Sequence, residues 1–200
     1  MANKSKISPL NATATVAAAI MAERQRQHRV PVRNPEKVAH CIHHAPMAVG
    51  DVFWLREPGW VEDYSPIDGV LTVKYKADGM IVPVEWPTRF LSSKWVLRHQ
   101  GIPNGIFKEA ARTFRVITRV RVERIQGIGE EDAIAEGFEP DTCIGLSACG
   151  GPCDDCRPKG SARTQFRDLW DSLYPGSWDR NDWVLVYDLV PCEKPEGWPL

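Results

Sequence analysis

No apolar stretch in this sequence approaches the ~18 residues that a membrane-crossing helix needs, so no membrane partner is expected. Net charge is nearly absent: 25 Lys plus Arg stand against 26 Asp plus Glu, which leaves -1. Bulk-charge coating of duplex DNA is thereby excluded, although a local basic face is still open. There is no glycine-rich phosphate loop, no nucleophile elbow and no His-Glu-x-x-His pattern, which sets aside the enzyme classes built on them. No internal repeat is visible. A secretory leader is also not expected. Lys4 and Lys6 precede only a short apolar stretch over 16–22, and Asn11, Thr13 and Thr15 interrupt anything longer.

What is present is a globular composition, 43% hydrophobic and 26% charged, which excludes wholesale disorder. A length of 200 residues predicts one domain that buries ~70% of its unfolded surface. Sixteen prolines and fifteen glycines predict many turns and short elements. Residues 1–12 read as a flexible polar leader, and Thr13 or Thr15 can cap a helix over 16–26. Residues 52–56 read as a strand buried on both faces, while 70–76 and 80–84 flank Ala77-Asp78-Gly79 as a hairpin. Over 114–125, Val116, Thr118, Val120 and Val122 alternate with Arg115, Arg119, Arg121 and Glu123. That alternation predicts a half-buried strand with a basic outer surface. A short helix over 130–136 begins with three acids and stops at Gly137. A second helix over 164–174 aligns Phe166, Leu169, Trp170 and Leu173 on one face. A last strand spans 183–189, and 191–200 reads as a loose tail. The eight tryptophans are expected mostly in the core. The expected fold class is α+β, mainly β, with the domain over 13–190.

Six cysteines occur, and Cys143, Cys149, Cys153 and Cys156 fall within fourteen residues. The last two have metal-knuckle spacing, and four thiolates make a closed tetrahedral zinc set, structural rather than catalytic. An unmetallated loop or disulfides are the alternatives; disulfides require export, and a reducing cytoplasm is the expectation. The segment 138–162 shows no clear secondary structure, and binding energy from a metal would hold such an insertion. His40, Cys41, His43 and His44 form a weaker cluster, because adjacent ligands cannot all reach one ion. Cys192 carries no evident chemistry.

Several blocks together resemble the ASCH domain family, in a phage-borne branch. They are Gly50-Asp51, Trp54-Leu55-Arg56-Glu57, Tyr75-Lys76-Ala77-Asp78 and Val120-Arg121-Val122-Glu123-Arg124-Ile125-Gln126. Glu130-Glu131-Asp132-Ala133 with Ala135-Glu136-Gly137, the run from Phe166 to Ser172, Ser177-Trp178-Asp179 and Trp183-Val184 complete the series, which covers roughly 9–189. The resemblance implies a PUA-like β-barrel with flanking short helices, here with an inserted cysteine-rich loop. It also implies a cleft that accepts RNA or a nucleotide, and a phage or prophage origin in a host cytoplasm. The family opens with a Gly-x-Lys-Thr-x-Thr-type motif ending in Arg. Here those positions hold Glu23, Gln25, Arg26 and His28, followed by Arg29-Val30. The amidohydrolase members, which deacylate N4-acetylcytidine, are thought to use that lysine to activate a threonine, with a glutamate downstream. Glu136 matches the glutamate, but Gln25 and His28 replace the lysine and threonine.

Three readings follow. The first is binding of RNA, single-stranded nucleic acid or a nucleotide, with Arg26, Arg29, Arg56, Arg112 and Arg121 on phosphate or base edges. Trp54 or Trp60 would offer a stacking surface, Glu57 would line the cleft, and Glu136 would contact a base amine. The bland alternative is a solvated strand face whose arginines pair with Glu123 and other acids. The second reading is an amidohydrolase, with Glu136 as general acid or base and His28 as its partner; its bland alternative leaves Glu136 at a helix end exposed to water. The third is a zinc-stapled protein-interaction module.

Overall fold

The computed structural model describes residues 5–32, 45–65, 67–85, 107–139 and 160–198. Pro9 and Pro31 lie in strands, which is possible where a strand's N–H edge is not needed by a neighbour. The first of them, β1 (Ile7–Asn11), pairs in parallel with β3 (Val52–Arg56), Ile7 facing Val52 and Asn11 facing Arg56. Residues expected as leader are thus partly ordered by a backbone ladder that side-chain composition does not reveal. The Thr13 hydroxyl accepts from the Val16 amide and caps α1 (Ala14–Met21), which buries Ala17, Ala19 and Ile20. Glu23, with φ at 57°, stops the chain from continuing as helix. The expected helix over 16–26 is therefore five residues too long, and Gln27–Pro31 forms strand β2 instead. Its partner is β8 (Trp183–Cys192), antiparallel, with His28 opposite Tyr187 and Arg29 opposite Val186. A tertiary partner overrides the local helical preference of the Arg- and Gln-rich run.

The chain divides into two units, one made of Met1–Ala22, Gly50–Ile117 and Val190–Leu200, the other of Glu23–Val49 and Thr118–Leu189. In the first unit β3 also pairs antiparallel with the start of β7 (Phe114–Arg124), Val52 facing Val116. A separate antiparallel meander joins β4 (Gly59–Ser65), β5 (Val70–Tyr75) and β6 (Ile81–Glu85). The expected hairpin at Asp78-Gly79 is present: Gly79 has φ at 71°, and the Asp78 carboxylate accepts from the Met80 amide at 3.0 Å. Val61, Leu71, Val73, Tyr75, Val84 and Ala110 pack as one cluster. Trp54, Ala111 and Phe114 form another, against Ile7, Val52, Cys192 and Trp198. The tail is accordingly not all loose. The Trp198 ring lies 5.7 Å from Trp54 and 5.6 Å from Phe114, and its Nε1 donates to the Lys108 carbonyl at 3.0 Å.

In the second unit the rest of β7 neighbours β8, and β8 neighbours β2. Two helices complete it, α2 (Glu130–Ala135) and α3 (Ala162–Leu173). Ser161 caps α3, and Glu130 accepts from the amides of Ala162 at 2.6 Å and Arg163 at 3.1 Å. An acid of α2 thereby satisfies the orphan N–H groups at the start of α3. The core holds Ile125, Ile128, Ala133, Phe166, Trp170, Trp178, Val184 and Val186. Leu173, expected on the buried face, is 59% exposed because it stands in the last turn of α3. Across the described residues the protein is α+β and mainly strand, with two sheets and no closed barrel. No described helix is long and apolar enough to cross a membrane.

Candidate functional site

The second unit brings two arginines and four carboxylates together, and backbone pairing helps to put them there. After the turn at Glu23, the Arg26 amide donates to the Ala135 carbonyl at 2.7 Å, and the Arg26 carbonyl accepts from Leu189 at 2.8 Å. Gln25 and Glu136, the chain neighbours of the two bonded residues, are both buried. Arg29, two residues into β2, reaches inward with only 1% of its side chain exposed. Its Nη1 donates to Glu136 Oε1 at 2.8 Å and to Gln27 Oε1 at 3.0 Å. Its Nη2 faces Glu123 at 3.4 Å and Asp132 at 3.7 Å. Phe166 of α3 lies under the guanidinium, 5.9 Å from ring centre to Cζ.

Arg121 forms the outer rim of the same cluster. Its Nε bonds Glu123, its Nη1 bonds Asp188, and its Nη2 lies 3.7 Å from Asp132. Two guanidiniums therefore meet four carboxylates, Glu123, Asp132, Glu136 and Asp188. The inner members are buried, and the outer carboxylates are a quarter to a third exposed. Burial pushes the Glu136 carboxyl up to about 7, against the opposing charge and hydrogen bond of Arg29. Burial, with the Arg29 charge beside it, pushes His28 down to about 4, so its imidazole is neutral at pH 7. Gln25, 3% exposed, donates through Nε2 to the Gln27 carbonyl at 3.0 Å. Its Oε1 is buried and has no hydrogen-bond partner among the described residues.

The first unit has its own arginine–carboxylate pair. Glu57 is fully buried, and Arg112 grips it with Nε at 3.1 and 3.2 Å and Nη2 at 2.7 Å. Arg112 also meets Asp78 at 2.8 Å, lies over the Tyr75 ring at 3.8 Å, and donates to Met21 Sδ at 3.2 Å. Such a guanidinium has its fork filled by one carboxylate and its face covered by an aromatic ring. Burial, with the Glu57 charge, pushes the Tyr75 hydroxyl up to about 12.

The residues expected in one cleft are thus distributed as follows. Arg26, Arg29, Arg121 and Glu136 belong to the second unit, with Arg29, Arg121 and Glu136 in one network and Arg26 exposed beside it. His28 is half-buried on β2. Trp54, Arg56, Glu57 and Arg112 belong to the first. Trp54 is buried against Trp198, which removes it as an open stacking platform, while Arg56 is half-buried opposite Asn11. The basic outer surface expected on 114–125 is found only in part, with Arg119 exposed. Arg115 is buried, donating to the carbonyls of Phe114 and Ile20, and Arg121 is held by acids, as the bland alternative had it. Glu136 is buried rather than exposed to water.

Sequence reading passed over Asp132 and Asp188 as partners of the arginines. Asp132 was legible, since it stands four residues before Glu136, on the same face of the turn. Asp188 was not, because only the pairing of β7 with β8 brings it near Arg121. Cys143, Cys149, Cys153 and Cys156 lie outside the described residues, as do His40, Cys41, His43 and His44. Among the described residues no group of three or more His, Cys, Asp or Glu is arranged to hold a metal ion. Cys192 is half-buried, and its thiol is pushed up by burial. No family model, curated protein or solved structure matches the chain.

Proposed function

We propose that this chain is an ASCH-like, PUA-type module that binds RNA, single-stranded nucleic acid or a nucleotide, and that it does so through a base held at the Arg29–Glu136 centre. The observation that carries this reading is Gln25 Oε1, a buried acceptor with no partner among the described residues, one residue from the bond that fixes Glu136. Leaving such an atom unpaired costs roughly 1–3 kcal/mol, which a ligand would recover. Arg29 and Arg121 already face four carboxylates, so a phosphate gains little from them. The base, not the backbone, then supplies the contacts. On this reading the protein is phage-encoded and works in the host cytoplasm.

The test is a fluorescence titration with short single-stranded RNA, single-stranded DNA and duplex at several salt concentrations. Saturable binding to a single strand is expected, with an apparent log–log salt slope no steeper than about -2, because few phosphates are neutralised. A steep slope would return the arginines to phosphate binding, and no binding to any strand or free nucleotide at low salt would end the reading. One observation favours amide hydrolysis as a second reading: a Glu136 carboxyl near pH 7 suits a general acid or base. Gln25 has no proton-accepting nitrogen at neutral pH, and His28 is a weak base, so water would have to be the nucleophile. N4-acetylcytidine in the same panel decides it: turnover that Glu136→Gln abolishes supports hydrolysis, and absence of turnover removes it.

A further inference from the structure

We propose that Met80 is a site of reversible oxidation, at which conversion of the thioether to the sulfoxide tightens the grip of Arg112 on the Asp78-Gly79 hairpin. A guanidinium carries five N–H groups. On Arg112 each of its nitrogens already has acceptors. Nε meets the two Glu57 oxygens at 3.1 and 3.2 Å, and Nη2 meets Glu57 Oε2 at 2.7 Å and Met21 Sδ at 3.2 Å. Nη1 divides between Asp78 Oδ2 at 2.8 Å and Met80 Sδ at 3.5 Å. One N–H on each terminal nitrogen therefore ends on thioether sulfur, which is a weak acceptor.

The two sulfurs differ in access. Met21 is half-buried, whereas Met80 is 55% exposed. Met47, the other methionine among the described residues, is buried. A peroxide in water thus reaches Met80 first. The backbone keeps Met80 beside Arg112 in spite of that exposure. Its amide donates to Asp78 Oδ1 at 3.0 Å, and its carbonyl accepts from the Tyr75 amide at 2.9 Å.

The step is a two-electron oxidation of sulfur by hydrogen peroxide. A sulfur lone pair attacks one peroxide oxygen, the O–O bond breaks and an S–O bond forms. The proton on the transferred oxygen passes through water to the leaving oxygen, so the peroxide departs as water. The sulfoxide oxygen is polar, and it forms beside an Nη1 proton that had only sulfur to meet. Bonds from a charged donor to such an oxygen are the stronger kind. Sulfoxides disrupt apolar cores because they bring a polar group into them. At Met80 the sulfur stands at the surface next to a cation, so the oxygen gains a partner and little packing is lost.

Dilute hydrogen peroxide on the full chain tests this, with dithiothreitol added afterwards to restore thiols while leaving sulfoxides intact. Peptide mass mapping should find Met80 oxidised at least about 10-fold faster than Met21 and Met47. The chain oxidised at Met80 should have a urea midpoint higher by about 0.3–0.5 M, the gain of roughly one net hydrogen bond. Treatment with the two epimer-specific methionine sulfoxide reductases should return the midpoint to its starting value. Met80→Leu keeps an apolar side chain without sulfur, and the same oxidation should leave its midpoint unmoved. Oxidation of Met21 or Met47 as fast as Met80 overturns the proposal. So does a midpoint that falls or stays level on oxidation of Met80, or an equal rise in Met80→Leu.

Discussion

Burial moves Glu136 and His28 in opposite directions, because it disfavours whichever form carries the charge. The Glu136 carboxyl rises from 4.5 to about 7. Between those values the unfolded chain gives up a proton that the folded chain keeps, so this group lowers stability as pH rises from 4.5 to 7. His28 falls from 6.5 to about 4. There the unfolded chain takes up a proton that the folded chain refuses, so this group lowers stability as pH falls from 6.5 to 4. Each contributes a slope of at most ~1.4 kcal/mol per pH unit, with opposite sign, and the two windows overlap between 4.5 and 6.5. We predict that the two slopes offset in the wild type across the overlap. In Glu136→Gln, stability rises with pH through the overlap; in His28→Gln it falls. Urea midpoints measured at three pH values in that interval check this, and parallel profiles for all three proteins would mean that the surroundings of neither group shift its proton affinity. The same two residues show how much of the site was legible. Glu136 and Arg29 were named from the sequence, and so was Gln25 as the occupant of a lysine position. That Gln25 carries an oxygen unpaired among the described residues depends on where the Gln27 carbonyl and Ala135 lie, which no spacing states.

Elements were legible where a local signal sufficed and missed where a partner decided. The Asp78-Gly79 hairpin, the stop at Gly137 and the apolar face of Phe166 and Trp170 are local signals, and all three are present. Strands β1 and β2 were missed, since Pro9 and Pro31 argue against strands unless the edge is free. The segment between α2 and α3 is a case in which both levels bear on one prediction. Gln165 Nε2 donates to the Glu139 carbonyl at 2.6 Å and to the Gly160 carbonyl at 3.2 Å, so one side chain ties the two ends of the intervening segment. Glu130 joins α2 to α3 independently. The spacing of Cys143, Cys149, Cys153 and Cys156 predicts one zinc per chain. Metal analysis of anaerobically purified protein should return about one equivalent, and chelation should release it while shifting the thermal midpoint by no more than about 2 °C. Less than about a tenth of an equivalent refutes the site. A collapse of the midpoint on chelation refutes the independence of α2 and α3 from the metal.

At the scale of the whole molecule, a net charge of -1 goes with three arginines, Arg29, Arg112 and Arg121, that are paired with carboxylates within the fold. The two buried pairs differ in what happens when the arginine is removed. Arg29→Leu leaves Glu136, which can hold a proton near pH 7 and so moderates the loss. Arg112→Leu leaves Glu57, fully buried and gripped from one side by Arg112, with the Thr113 hydroxyl at 3.4 Å as its further side-chain donor among the described residues. Stripping one partner from a buried ion pair costs about 3–5 kcal/mol, because the remaining charge keeps its desolvation penalty without its partner. Against a total stability on the order of 5–15 kcal/mol, that is about a fifth or more of what holds a domain folded. The loss of the Arg112 stack on Tyr75 adds to it. We predict that Arg112→Leu is the more damaging of the two at pH 7. The double variant Glu57→Leu with Arg112→Leu should regain most of the stability, since two apolar side chains carry no such penalty. Denaturant unfolding of the three proteins decides between this account and its rival. If Arg112→Leu stays within about 1 kcal/mol of wild type, the guanidinium is not held as a structural clamp, and it becomes available to an anion.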